Sequence, residues 1–307
     1  MTTEALTRVD PSEFSTRHDV IAALEAAARA ADGHDSLGDA VWRDLAHPQP
    51  DSAGFLSDAN AYLHLTRDET GPTWTAGIVR LPAARGREVV TALLDAARAH
   101  VLAHGGRSLQ CWVFGATDAD DDAFGAAGFR AARGLYEMRA PLPLSEPIPW
   151  PAGIEVRTFG PGRDDAEWLR VNNRAFASHT DQGGWTEATL KTRMAEPWFD
   201  PALFFLAFDA GGLAGFNWLK QHPARSPDPA LGEIYVIGVD PRAQGTGLGR
   251  ALALNGLRTV HAAGASAAML FCAADNVSAL ALYRSLGFSV YRTDRAYVRD
   301  LATEATR

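Results

Sequence analysis

One offset recurs along this chain. Ala127-Gly128-Phe129-Arg130 and Leu286-Gly287-Phe288-Ser289 carry the same turn into a strand, 159 residues apart. The same shift lays Pro82 on Pro241, Thr75–Arg80 on Ile234–Val239, and the helical pattern after one proline on that after the other. Three separate features meeting one offset imply an internal duplication, two copies of one α/β unit. Between the copies, the stretch from Pro141 to Pro151 places five prolines in eleven residues. Proline lacks the backbone N–H and fixes φ, so this stretch suits neither a helix nor a central strand. It reads as a semi-rigid linker rather than a PxxP docking site. The expected domains are 1–140 and 153–307, joined by a linker over 141–152.

The second copy alternates strand and helix signals. Ile154–Phe159 reads as a strand and Asp164–Phe176 as an amphipathic helix. Leu203–Phe208 and Leu213–Leu219 are apolar runs around Ala210-Gly211-Gly212, a hairpin signal. Glu233–Val239 is a strand stopped by Asp240-Pro241, and Gly247–Ala263 has helical periodicity. Ala267–Ala273 is a buried strand, Val277–Leu286 a helix, and Ser289–Arg299 a last strand.

The most specific segment is Val236-Ile237-Gly238-Val239-Asp240-Pro241-Arg242-Ala243-Gln244-Gly245-Thr246-Gly247-Leu248-Gly249-Arg250. A strand ends, a glycine-rich loop follows, and a helix begins. Glycines let the backbone turn tightly and approach a ligand, and the N–H groups opening a helix attract an anion such as a pyrophosphate. A Walker A loop is excluded because no Gly-Lys-Ser/Thr follows. A Rossmann fingerprint fits poorly, since Gly245, Gly247 and Gly249 are spaced G-x-G-x-G and the strand lies late in the chain. The formal net charge of −8 makes such a local device necessary, and it argues against a nucleic-acid partner held through its phosphates.

Gln244-x-x-Gly247-x-Gly249 after a strand and Asp-Pro resembles the acetyl-CoA signature of the GNAT acyltransferases. Asp275-Asn276-x-x-Ala279-x-x-x-Tyr283-x-x-x-Gly287-Phe288 resembles that family's closing motif. The resemblance implies an α/β fold of two tandem GNAT-like domains and acetyl-CoA as acyl donor. It places the pantetheine along the strand bearing Ile237, Gly238 and Val239, pairing with the backbone like an added strand. The rest of the cofactor falls to Gln244, Gly245, Thr246, Gly247, Leu248, Gly249 and Arg250, with Asn276 and Ala279 beyond. Arg170-Val171-Asn172-Asn173-Arg174-Ala175-Phe176, Gln182-Gly183-Gly184-Trp185-Thr186, Trp198-Phe199-Asp200-Pro201 and Leu231–Val239 narrow the match. Together they resemble a tandem branch of the family that acetylates the cysteinyl amine of a cysteinyl-glucosaminyl-inositol.

An amine attacking a thioester must lose a proton, and the departing thiolate should gain one. Glu233, at the start of the strand beneath the cofactor, is placed to take the first. Tyr283 lies seven residues beyond Asn276, about two helical turns, on the face toward the sulfur. The resemblance makes Glu233 the base and Tyr283 the acid; the competing readings are a solvated strand-end charge and a packing residue. It further points to Asp39, Asp181, Lys220, Glu233 and Phe271 as substrate contacts. The family carries glutamate at the positions of Asp39 and Asp181 and tyrosine at that of Phe271. His179 and His222 read as loop surface. The alternatives are another amine, such as an aminoglycoside or a protein N-terminus, or a noncatalytic acyl-CoA sensor; retention of Glu233 and Tyr283 together favours an enzyme.

In the first copy the same offset puts Glu88 at the place of Gly247, Val90 at Gly249, Trp74 at Glu233 and Phe124 at Tyr283. That copy is therefore expected to be degenerate. No apolar run approaches the ~20 residues of a membrane span, and the start carries no signal-peptide pattern. Cys111 and Cys272 sit in apolar runs, as buried thiols of a reducing cytoplasm rather than a disulfide framework. No side-chain cluster has metal-ligand spacing. The expected molecule is a cytoplasmic monomer without metal, working on a small-molecule amine.

Overall fold

The structure is a computed structural model, described for residues 5–58, 60–67, 72–177, 182–226 and 228–302. Two compact units divide it. Residues 1–136, 273–275 and 292–307 form the first, and residues 137–272 and 276–291 form the second.

The first unit begins with β1 (Leu6–Val9), α1 (Phe14–Asp32), α2 (Asp39–Ala46), β2 (Ala53–Ser57), β3 (Ala61–Arg67) and β4 (Thr73–Arg80). Then come α3 (Arg87–Ala103), β5 (Ser108–Val113), α4 (Asp118–Ala126) and the opening of β6 (Arg130–Pro141). β1 to β4 pair antiparallel in sequence order, and β5 adds parallel to β4. Trp74, Leu93, Leu94, Ala97 and Phe124 pack the core between this sheet and α3 and α4.

The second unit contains β7 (Glu155–Thr158), α5 (Asp165–Ala175), α6 (Glu187–Met194), β8 (Phe204–Asp209), β9 (Gly212–His222) and β10 (Leu231–Val239). α7 (Leu248–Ala262), β11 (Ala267–Ala273) and α8 (Val277–Ser285) follow. Its strands run β7-β8-β9-β10-β11, antiparallel except for the parallel β10–β11 pair, with the end of β6 beside β11. The mixed sheet flanked by helices is the α/β class expected.

The last strand, β12 (Ser289–Asp300), does not stay with its own half. Its residues from Arg292 onward belong to the first unit, where Arg295–Asp300 pair antiparallel with Ser108–Val113 of β5. Tyr297 stacks on Phe124 at 4.2 Å between ring centroids and donates a 2.7 Å hydrogen bond to Asp121. The sequence pattern assigns 289–307 to the second half with the rest of 153–307; the compact units exchange this strand and the end of β6. Leu142, in the expected linker, donates its N–H to the Ser266 carbonyl of the second unit at 3.1 Å.

α7 forms because Leu248, Ala251, Leu252 and Val260 recur at helical spacing, and all are buried. On the opposite face of the sheet an aromatic cluster anchors the site. Phe204 stacks on Trp218 at 4.6 Å, and Trp168, Trp185 and Phe216 close around them. Burial of each such side chain is worth roughly 1.5–3 kcal/mol, so this cluster holds α5 firmly to β8 and β9. Among the described residues, no helix is long and apolar enough to cross a membrane.

Candidate active site

The loop between β10 and α7 is shaped by two glycines. Gly245 and Gly247 have φ of +78° and +89°, and a Cβ at either would meet nothing within 4 Å. The backbone, not the space around it, demands glycine there. Gly247 is the N-cap of α7, so the N–H groups of Leu248, Gly249 and Arg250 have no partner four residues back in the helix. Asp240 fastens the loop's base: it accepts from the Arg242 N–H at 3.1 Å and pairs with Arg174 of α5.

Gly249 differs from the other two. It adopts no left-handed φ, and a Cβ there would lie 3.6 Å from Val239 and 4.0 Å from Leu282, in ordinary contact. Val239 and Leu282 both line a cavity of about 420 Å³, and so does Gly249. The missing side chain at 249 therefore widens a cradle that a methyl group would fill. Ile237, Gly238, Gln244, Gly245, Gly247, Leu248, Asn276, Ala279 and Tyr283 line the same cavity. Ala175 and Phe176 from the end of α5, with Ala243 and Ser278, complete its wall. A mostly apolar slot ending on a helix N-terminus fits a ligand with an apolar arm and a phosphate-bearing end.

Two residues of the expected cofactor set stand outside that lining. The Thr246 hydroxyl turns back to the Ala243 carbonyl at 2.8 Å. The Arg250 guanidinium grips both oxygens of Glu146, at 2.9 and 2.7 Å, and donates to the Ser285 hydroxyl at 2.7 Å. Asn276 caps α8, accepting from the Ala279 N–H and the Ser278 hydroxyl at 3.1 Å each. Tyr283, on α8, packs edge-on against Phe288 at 5.8 Å and is 7% exposed. Burial pushes its hydroxyl pKa well above 10.0, with Cys272 contributing further, so it keeps its proton at neutral pH.

Glu233 is the third residue of β10, not its first, and is 6% exposed. It lies opposite Lys220 on β9 and Met269 on β11. The Lys220 ammonium sits 4.8 Å from the Trp198 ring centroid, a cation–π geometry. β9 runs on to His222, so this residue belongs to the strand rather than to a loop surface. Its Nε2 lies 2.6 Å from the Glu233 carboxylate Oε2, within hydrogen-bond distance. Sequence reasoning misses this contact, although the spacing of two from Lys220 puts His222 on the same strand face.

Between Glu233 and the cavity, β10 is interrupted. Its register with β9 shifts between Ile234 and Val236, leaving Tyr235 unpaired in the ladder. Such a bulge re-aims the side chains that follow it, and bulges recur beside active sites. Glu233 itself does not line the cavity that Tyr283 lines. Phe271 on β11 is 40% exposed. Asp39, exposed, opens α2 in the first unit. Asp181 and His179 lie outside the described residues.

The first unit repeats the cavity with different contents. Ile78, Arg80, Arg85, Thr117 and Asp120 line a space of about 330 Å³. By the 159-residue offset they match Ile237, Val239, Gln244, Asn276 and Ala279, all lining residues of the second unit. Here Arg80 replaces Val239 and Asp120 replaces Ala279. The two form a buried ion pair at 2.7 Å. Burial alone would raise the Asp120 pKa, but the Arg80 charge and the Thr117 hydrogen bonds hold it below its ordinary value. The loop is gone as well: Arg87 and Glu88 are already helical where the second unit has Thr246 and Gly247. The register of β4 with β3 runs from Trp74 to Arg80 without a bulge.

Among the described residues, no group of three or more His, Cys, Asp or Glu side chains is placed to hold a metal ion. The Acetyltransferase (GNAT) family profile matches residues 168–288. A mycothiol acetyltransferase of Thermobispora bispora is 41% identical over 296 residues, covering 95% of this chain and 99% of that protein. One of Mycolicibacterium gilvum is 41% identical over 296 residues, covering 92% of this chain and 94% of that one. Among solved structures, a GCN5-related N-acetyltransferase from Sphaerobacter thermophilus aligns with a TM-score of 0.74 at 21% identity, over 98% of this chain and 96% of its own. A tandem GNAT protein from the clavulanic acid biosynthesis pathway aligns at 0.71 and 18%, over 96% and 98%. At those identities the two structures speak for the tandem fold alone.

Proposed function

The chain belongs to the mycothiol acetyltransferases, tandem-domain members of the GNAT family, and we propose that its second unit carries the reaction on the residues assembled around β10, α7 and α8. The reaction is transfer of an acetyl group to the cysteinyl amine of a cysteinyl-glucosaminyl-inositol, which completes mycothiol. The observation that carries this reading is one cavity running from the α7 N-terminus to Tyr283, beside a strand that buries the Glu233 carboxylate.

Acetyl-CoA supplies the acetyl group as a thioester. The N–H groups of Leu248, Gly249 and Arg250 face its pyrophosphate, and Gly249 leaves it room. Ile237, Gly238 and Val239 border the pantetheine arm, with Asn276 and Ala279 on the opposite wall. Glu233 accepts a proton from the substrate ammonium, freeing the nitrogen lone pair to form the amide bond as the carbon–sulfur bond breaks. Tyr283 gives its proton to the departing thiolate and recovers one from the amide nitrogen or from solvent. The balance is one amide, one thiol and one proton released to solvent. Lys220 and Phe271 border the acceptor side, and Asp181 is the carboxylate assigned to the polyol. The first unit holds no cofactor of its own. The protein works as a cytoplasmic monomer.

The test is release of free CoA thiol from acetyl-CoA with a panel of amines. The cysteinyl-glucosaminyl-inositol should turn over at least 100-fold faster than an aminoglycoside or an N-terminal peptide. Equal rates across the panel would overturn the substrate assignment. Tight acetyl-CoA binding with no turnover of any amine would make the protein an acyl-CoA sensor.

A further inference from the structure

We propose that His222 is the positioning residue for the base: its imidazole aims the Glu233 carboxylate at the incoming amine. The inference rests on the assignment of Glu233 as the base.

An ionised carboxylate only accepts hydrogen bonds, so the 2.6 Å contact requires the proton on His222 Nε2. That bond occupies Oε2 and leaves Oε1 for the incoming ammonium. Without that contact the Glu233 side chain, 8% exposed, would have nothing to fix its rotamer toward the amine.

The ammonium across the ladder is committed elsewhere. Lys220 faces Glu233 across the β9–β10 pair, but its ammonium lies over Trp198. Met269, the neighbour on β11, carries no charge. His222 is the last residue of β9, held opposite Leu231 by the strand ladder, and its side chain keeps 31% of its surface exposed. It is therefore fixed at its backbone and tolerant of substitution at its tip. The arrangement is that of a base oriented by a third group, as in nucleophile–base–orienter triads. In the first unit Trp74, fully buried, stands at the place of Glu233, and the base has gone altogether.

The test compares His222→Ala, His222→Gln, Glu233→Gln and the double variant Glu233→Gln/His222→Ala in the full-length protein. For His222→Ala, kcat should fall by about 10²-fold, the lower end of general acid–base contributions. Its KM for acetyl-CoA should stay within twofold, since His222 does not line the cofactor cavity. His222→Gln keeps an N–H donor and should recover at least a tenth of the wild-type kcat. The double variant should be no slower than Glu233→Gln alone, because His222 acts only through that carboxylate. Circular dichroism and the acetyl-CoA Kd confirm that each variant folds. Loss of kcat below threefold in His222→Ala, or additive losses in the double variant, would overturn the inference. Glu233→Gln with wild-type kcat would instead overturn the base assignment itself, so the two failures are distinguishable.

Discussion

The two kinds of glycine between β10 and α7 should respond in opposite ways to a single methyl group. Gly247 needs its left-handed φ of +89° and has open space around it. Alanine there should cost about 1–2 kcal/mol in backbone strain, with no protein atom close enough for its methyl group to meet. Gly249, the second residue of α7, has no such φ, and a methyl group would sit 3.6 Å from Val239. Alanine there should leave stability unchanged or raise it by up to about 1 kcal/mol, the helix-propensity difference from glycine. The same methyl projects between Val239 and Leu282, both cavity-lining residues, into the place assigned to the pyrophosphate end of the ligand. Overfilling a close contact costs about 1–3 kcal/mol. At 1.4 kcal/mol per decade this weakens the acetyl-CoA Kd by roughly 5- to 150-fold. Gly249→Asp should bind more weakly still, because the helix dipole favours that carboxylate by about 0.3–1 kcal/mol in the first turn, where it takes the anion's place. Isothermal titration with acetyl-CoA and thermal unfolding of the same samples separate the two effects. An unchanged Kd in a folded Gly249→Ala protein would refute the placement of the phosphate end at this turn.

Glu233→Gln and Tyr283→Phe should each lower kcat by ~10²–10⁴-fold while leaving the acetyl-CoA Kd within a few fold; losses below threefold in both would mean another proton route. Because burial holds the Tyr283 hydroxyl above its ordinary 10.0, kcat should show no alkaline fall from this group below about pH 10, and Tyr283→Phe should leave the shape of the profile unchanged. Titration of acetyl-CoA should give one equivalent per chain, falling to none in Gly249→Asp, since the Arg80–Asp120 pair stands in the first unit's cavity; a second tight equivalent would refute that account. Asp164 accepts two hydrogen bonds from Arg157, at 2.6 and 2.7 Å, and these hold its pKa well below the ordinary 3.8. The associated stability is present above about pH 4 and is lost as pH falls below it, so acid unfolding of Arg157→Met should begin at higher pH than wild type.

The glycine-rich loop is legible in the amino-acid sequence because its signals are local. A strand, Asp-Pro, spaced glycines and an apolar helix each leave a mark within a few residues. What escapes depends on partners distant in sequence. Arg250 looks like a phosphate ligand until Glu146, 104 residues earlier, is seen to take two of its nitrogens. Thr246 looks available until its hydroxyl is found on the Ala243 carbonyl. His222 reads as a loop residue because the polar Lys220 and Gln221 end the apolar run, though the strand continues through them. The bulge at Tyr235 has no period of its own and hides in an otherwise regular strand. Exchange of β12 is invisible for a different reason. Its residues pattern as a strand in either unit, and only the pairing of Arg295–Asp300 with β5 decides which.

That pairing has a consequence for synthesis. Val113 and Arg295, partners at one end of the β5–β12 ladder, are about 180 residues apart. At roughly 5–20 residues per second, the ribosome takes about 10–35 s to deliver the second after the first. Throughout that interval β5 presents an unsatisfied row of N–H and C=O groups with Leu109, Cys111 and Val113 along it, a template for pairing with another nascent chain. The oldest part of the polypeptide thus waits for the youngest, and ribosome stalling or premature termination anywhere before residue 295 should leave an aggregation-prone product rather than a folded first unit. Expression yield of full-length protein should accordingly depend on elongation through the second half, a stretch that contributes only this strand to the first unit's sheet.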